Sequence, residues 1–205
     1  MQDPRPSLPA ALLAASLAAF PAAVPAAAGP PGGPAFDPSG VWTGRHGPLA
    51  IMVAGGTLTF SYTGAFGPDA RMCDGIGVAR STGEGSWAYA DAEGTVTFTT
   101  RGGTVTMAAT KGIASFCGAG WPGDTFRKDG WKPPFGCTVV APKASFLTAS
   151  ASPDETGESV SKGDVVEAVG LVNEGTPGWL LARAGKDGRR TAGLLERDAL
   201  DCGDE

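Results

Sequence analysis

The sequence predicts an all-β protein: a signal peptide, then an eight-stranded antiparallel meander able to close like a barrel, then a second, smaller barrel module. Three observations carry that class. Apolar residues alternate at two-residue spacing through the first half, which places one face of each strand on a core. Glycines, single or paired, punctuate those runs where tight turns need them. Beyond residue 28 no stretch keeps the 3.6-residue period of a helix.

Residues 1–28 stand outside the fold. Arg5 is the basic residue of a short n-region, Leu8 to Val24 is apolar and alanine-rich, and Ala26 to Ala28 offers a small-residue cleavage site. That is the pattern of a secretory signal peptide. Pro9, Pro21 and Pro25 interrupt the run, which falls short of the ~20 residues a membrane span needs. The mature chain is expected to contain no span. Gly29 to Pro38 is rich in proline and glycine and reads as a tether.

The meander is expected over residues 39–117. Val41–Arg45 and Leu49–Val53 open it. Leu58, Phe60 and Tyr62 share a face, as do Ile76 and Val78, Trp87 and Tyr89, Val96 and Phe98, and Val105 and Met107. Gly112 to Cys117 is the expected eighth strand. Closing such a meander removes its exposed edges. Residues 118–136 then read as an aromatic and proline-rich linker. It carries Trp121, Trp131 and Phe135, which either form a recognition surface or pack over the module ends.

The second module spans residues 137–205. Val160 to Gly170 is β-branched and carries the turn Lys162-Gly163-Asp164. Gly178 to Arg183 and Thr191 to Leu195 are strands around Asp187-Gly188, a hairpin signal because primed turns need positive φ. Arg197 to Leu200 reads as one tight helical turn.

Four cysteines allow three pairings. The favoured one is Cys73–Cys117 with Cys137–Cys202, one bridge per module. No Cys-x-x-Cys unit is present, so zinc spacing is absent. An even cysteine count behind a leader fits a periplasmic or secreted protein. Residues 29–136 carry eight charges of each sign, whereas residues 137–205 carry seven basic and twelve acidic ones. With no cluster of lysine and arginine, a nucleic-acid partner is not expected.

Several of these stretches resemble known families. Lys162-Gly163-Asp164-Val165-Val166-Glu167, Gly178-Trp179-Leu180-Leu181-Ala182-Arg183, Asp187-Gly188, Ala192-Gly193-Leu194-Leu195 and Arg197-Asp198-Ala199-Leu200 together resemble the bacterial SH3-like (SH3b) domains. The resemblance covers roughly the last third of the chain. It implies a small five-stranded barrel with adjacent termini, and cell-wall peptide as one expected partner class. Leu194 stands where the family usually has an aromatic, and the module has no tyrosine. The proline-rich-ligand groove of eukaryotic relatives is therefore not implied. Trp179 is a candidate ligand platform, the competing reading being core burial, the commoner use of aromatics. At the first strand, Gly40-Val41-Trp42 resembles the entry of the calycin barrels, and small periplasmic barrels also include lysozyme inhibitors.

Recognisable catalytic chemistry is missing. His46 is the one histidine, so no histidine-based metal site forms. No Gly-x-Ser-x-Gly elbow occurs, and the cysteines are expected to be oxidised. Gly75-Ile76-Gly77 lacks the third glycine and following helix of a phosphate-cradling loop. Asp69, Asp74 and Glu84 sit beside turns. A glycosidase-type carboxylate pair needs only two acids at the right distance. Catalytic residues, metal and cofactor are thus all expected to be none. The favoured expectation is an exported, non-enzymatic binding protein whose SH3-like module touches cell-wall peptide or an envelope or secreted protein. The alternative is a small wall-acting hydrolase using an unrecognised carboxylate pair. Trp121, Trp131, Phe135 and Trp179 are the candidate binding surface.

Overall fold

The computed structural model describes residues 36–112, 115–173, 178–186 and 188–203. The expected leader, most of the tether and Asp187 lie outside these residues. Within them the chain is nearly all β, with two short 3-10 turns at Lys128–Gly130 and Arg197–Ala199.

The first sheet has nine strands: β1 (Gly40–Thr43), β2 (Pro48–Ala54), β3 (Thr57–Phe66), β4 (Arg71–Gly83), β5 (Ser86–Ala90), β6 (Gly94–Arg101), β7 (Thr104–Gly112), β8 (Asp124–Arg127) and β9 (Trp131–Lys132). β1 to β8 are neighbours in sequence order, the expected antiparallel meander, and β9 lies on the free side of β1. β8 and β9 are one segment interrupted by a 3-10 turn. Its first half pairs with β7 and its second half with β1, where Trp42 faces Trp131. That segment nearly closes the sheet into a barrel.

The eighth strand differs from expectation. It is Asp124–Arg127, not Gly112–Cys117, and Cys117 makes only an isolated bridge to Cys73. The segment expected to be a linker therefore supplies β8 and β9 and the start of the next strand. The reason is local: Asp124 and Phe126 point inward and Thr125 and Arg127 outward, an alternation only four residues long.

Two backbone positions make this closure fit. Gly40 has φ +141, and a Cβ there would collide with the Lys132 carbonyl and the Trp131 indole. A Cβ at Gly44 would meet the Phe126 ring and the Asp124 carboxylate. Asp124 is only 6 % exposed. Its carboxylate accepts backbone N–H bonds from Arg45 (3.1 Å), His46 (3.0 Å) and Thr125 (2.8 Å), and lies 3.5 Å from the Tyr62 hydroxyl. It pins the β1–β2 turn to the closing strand. Burial pushes the Tyr62 phenol up to about 12, with Asp124 nearby adding to the rise.

The second sheet has seven strands: β10 (Phe135–Val139), β11 (Lys143–Leu147), β12 (Glu155–Ser161), β13 (Val165–Gly170), β14 (Trp179–Lys186), β15 (Arg189–Glu196) and β16 (Leu200–Asp201). Their spatial order is β12-β11-β15-β14-β13-β10-β16, a half-barrel. The turn at Lys162 to Asp164 separates β12 from β13, β14 and β15 form the expected hairpin, and the helical turn at Arg197–Ala199 precedes β16. Cysteines pair as Cys73–Cys117 and Cys137–Cys202, one bridge on each sheet.

Three apolar clusters hold the molecule together. The first fills the barrel around Trp42, Phe60, Tyr62, Phe98 and Phe126. The second lies inside the half-barrel around Phe146, Val166, Leu180 and Leu195. The third lies between the sheets and joins Ala50 and Met52 of β2 to Val169, Leu181 and Leu194. Polar contacts cross the same boundary: the Ser61 hydroxyl accepts N–H bonds from Val172 (3.2 Å) and Asn173 (3.1 Å).

Candidate functional site

The same boundary opens on one side into a cleft of ≈ 670 Å³. Both sheets build it. Phe36, Asp37 and Pro38 lead into β1, and Val53 lies near the end of β2. The β4–β5 turn brings Glu84 and Gly85, and β5 brings Trp87. The β6–β7 turn brings Arg101, Gly102 and Gly103. The second sheet contributes Arg183 from β14 and Arg190 from β15.

Arg183 is the centre of this arrangement and only 8 % exposed. Its Nε donates to Glu167 Oε2 at 2.6 Å. One terminal nitrogen donates to Asp37 Oδ2 (2.6 Å), the Ser39 hydroxyl (2.9 Å) and the Val53 carbonyl (3.0 Å). Burial alone would lower the guanidinium pKa, but the bonds to Glu167 and Asp37 outweigh it and raise it above its ordinary value. Asp37 shows the reverse balance. Burial raises its pKa, and contacts with Ser39 and Arg183 outweigh that and hold the carboxyl below its usual range. Arg183 thus ties the segment entering β1 to the second sheet, across the floor of the cleft.

An aromatic group backs the cleft. Phe36 lies edge-on to Trp42 (6.0 Å) and Trp131 (5.7 Å), and the Lys128 ammonium sits 5.3 Å from the Phe36 ring centroid. The Trp131 indole N–H donates to the Ser39 carbonyl at 3.1 Å. Phe36 keeps 36 % of its surface open.

The four aromatics expected as a binding surface do not come together. Trp121 is buried in the barrel core beside Tyr62. Phe135 packs against the second core and Trp179 against the cluster between the sheets. Trp131 alone reaches the cleft's surroundings, through Phe36. The cleft residues Phe36, Asp37, Arg101, Arg183 and Arg190 are not among those the sequence pattern singles out. Signals in the sequence point to two of them all the same. Phe36 is an aromatic inside a proline and glycine stretch. Arg183 shares a strand face with Leu181, a charge where alternation calls for an apolar residue.

Elsewhere the expected placements are simple. His46 lies in the β1–β2 turn with Nδ1 3.2 Å from the Ala65 carbonyl. Asp69, Asp74 and Glu84 are exposed. Among the described residues, no group of three His, Cys, Asp or Glu side chains is placed to hold a metal ion. A smaller groove of ≈ 240 Å³ lies on the second sheet between edge strand β12 and the faces of β13 to β15, lined by Phe146, Glu158, Val160 and Val165.

Comparison with known proteins returned no matching family model, no similar curated protein and no similar solved structure. The SH3-like and calycin resemblances therefore rest on their quoted residues alone.

Proposed function

We propose that this chain is an exported, non-enzymatic binding protein whose ligand site is the cleft between the two sheets. One observation carries the reading: the cleft is open, joins both sheets, and presents a part-exposed aromatic beside arginines. Concave sites with apolar walls and a few placed polar groups are the usual form of ligand pockets. The Arg183 network supports it, because it fixes the cleft floor without itself needing a ligand. Two disulfides suit an oxidising compartment, periplasmic or extracellular. Among the described residues no helix is long and apolar enough to cross a membrane. Cell-wall peptide or an envelope or secreted protein is the partner class this reading favours.

The test is co-sedimentation of the purified full chain with isolated cell walls, read together with wall turbidity. Retention is expected, with turbidity unchanged and with retention reduced in Phe36→Ala. Falling turbidity would instead support the hydrolase reading. Absence of retention for wild type would remove cell wall as the target.

A further inference from the structure

We infer that the cleft selects a small ligand bearing a carboxylate next to an apolar body, with Arg101 and Arg190 holding the carboxylate and Phe36 the apolar part. The inference rests on the cleft being the binding site, and it adds the chemical class of what binds there.

The distribution of ion pairs within the cleft points to an anion. Three arginines and two carboxylates line it. Arg183 is held between Asp37 and Glu167 at 2.6 Å from each, so its single charge is fully engaged and the trio carries one net negative charge. With Glu84 and Glu167 both counted the cleft is close to neutral, and Arg101 and Arg190 are the two cations in it that no carboxylate among the described residues engages. Lys128, over the Phe36 ring, adds a third cation beside the rim. Among the described residues no carboxylate lies within ion-pair distance of Arg101, Arg190 or Lys128. The chain as a whole carries a net charge of −5. Guanidiniums without a carboxylate partner, on a protein that is acidic as a whole, give an anion a local partner in the cleft and little attraction elsewhere.

The chemistry of the groups narrows the anion. A guanidinium presents a planar fork that matches a carboxylate in two parallel bonds. Phe36 offers an apolar face beside it. Two rim arginines do not form the long basic stripe that a nucleic-acid backbone requires.

Backbone contacts hold the turns that carry these two arginines. The Thr100 N–H donates to the Gly85 carbonyl at 2.8 Å, joining the β4–β5 and β6–β7 turns. On the other side, a Cβ at Gly55 would stand 3.0 Å from the Arg190 carbonyl, so the β2–β3 turn abuts β15 there.

The test uses the full chain with two defined probes, N-acetyl-L-phenylalanine and its neutral C-terminal amide, followed by ¹H–¹⁵N NMR of the tryptophan indole and arginine Nε resonances. The acid is expected to shift Trp87, Arg101 and Arg190 and to bind at least ten-fold tighter than the amide. Raising salt from about 20 to about 300 mM should weaken the acid several-fold. Arg101→Ser with Arg190→Ser should cost the acid about ten-fold and leave the amide unchanged. Equal binding of acid and amide within the cleft would overturn the carboxylate inference and leave the cleft reading standing. Shifts confined to other regions, or none with either probe, would overturn both. All the decisive comparisons between probes are made on the unaltered protein, so they do not depend on how the variants fold.

Discussion

Arg183 shows how one residue can be structural and still define a site. It is a charge in an apolar strand, and it keeps that charge because Glu167, Asp37, Ser39 and Val53 occupy its donors. Removing one member of a buried pair leaves the others without partners. Asp37 and Glu167 are about half exposed and can rehydrate, which holds the cost below that of a fully buried pair. Arg183→Ala is expected to destabilise the protein by about 2 kcal/mol and Asp37→Asn by about 1 kcal/mol, with the double variant losing less than the sum. Urea unfolding midpoints measure all three. Additive losses would mean the two groups do not act on each other. Asp91 supplies a pH dependence. Burial raises its pKa, but N–H bonds from Ser115, Gly94 and Glu93 and the Ser115 hydroxyl, each at 2.9 Å, hold it at about 2. Its folded pKa lies below the unfolded value of about 3.9, so its contribution is present above that pH and is lost as pH falls towards 2. Thermal melts between about pH 5 and pH 2 should show a decline that is shallower in Asp91→Asn. The cleft's residues are hard to read in the sequence because charges are informative only once their neighbours are known. Arg183 is visible as an oddity, whereas Arg101 and Arg190 look like any hairpin cations.

At the scale of elements, the antiparallel alternation is legible because one buried face imposes period two, and the glycines mark where each strand has to turn. Three strands carry a second message in their adjacent apolar pairs. β2 is apolar from Leu49 to Ala54: Leu49 and Ile51 enter the barrel core, Ala50 and Met52 the cluster between the sheets. On β14 Leu180 and Leu181 split in the same manner between the half-barrel core and that cluster, as do Leu195 and Leu194 on β15. Strands buried on both faces lose the polar half of the alternation. The contact between the sheets is therefore written in those pairs. β8 is not legible, since four residues give too few repeats to fix a period, and its position depends on Asp124 finding the Arg45 and His46 amides about eighty residues away. Asp124→Ala leaves those donors without an acceptor and is expected to cost about 2–4 kcal/mol. Hydrogen exchange at Arg45 and His46 should accelerate far more than at the β5–β6 hairpin. Uniform acceleration across the sheet would show that the carboxylate does not act as a local latch.

For the molecule as a whole, the sequence suggests a second module complete in its own strands and bridge. The cluster between the sheets makes cutting the chain there costly. A fragment of residues 137–205 would carry Val169, Leu181 and Leu194 uncovered, and Ala50 and Met52 would be missing from above them. A fragment this small has little margin even with its disulfide. It is expected to self-associate in sedimentation experiments and to melt below the full chain, whose two sheets should unfold in one calorimetric transition. A monomeric fragment with an undiminished melting temperature would show that the contact contributes nothing.

The closing segment also sets a timetable. β1 finds its second partner only in Trp131 and Lys132, about 90 residues further along a chain made from its N-terminus. Until then its outer edge presents unpaired amides and carbonyls, which neighbouring chains can capture. So distant a pairing forms slowly. The vulnerable interval in the life of this protein is therefore its assembly, and a chaperone that shields one short edge strand would protect it most.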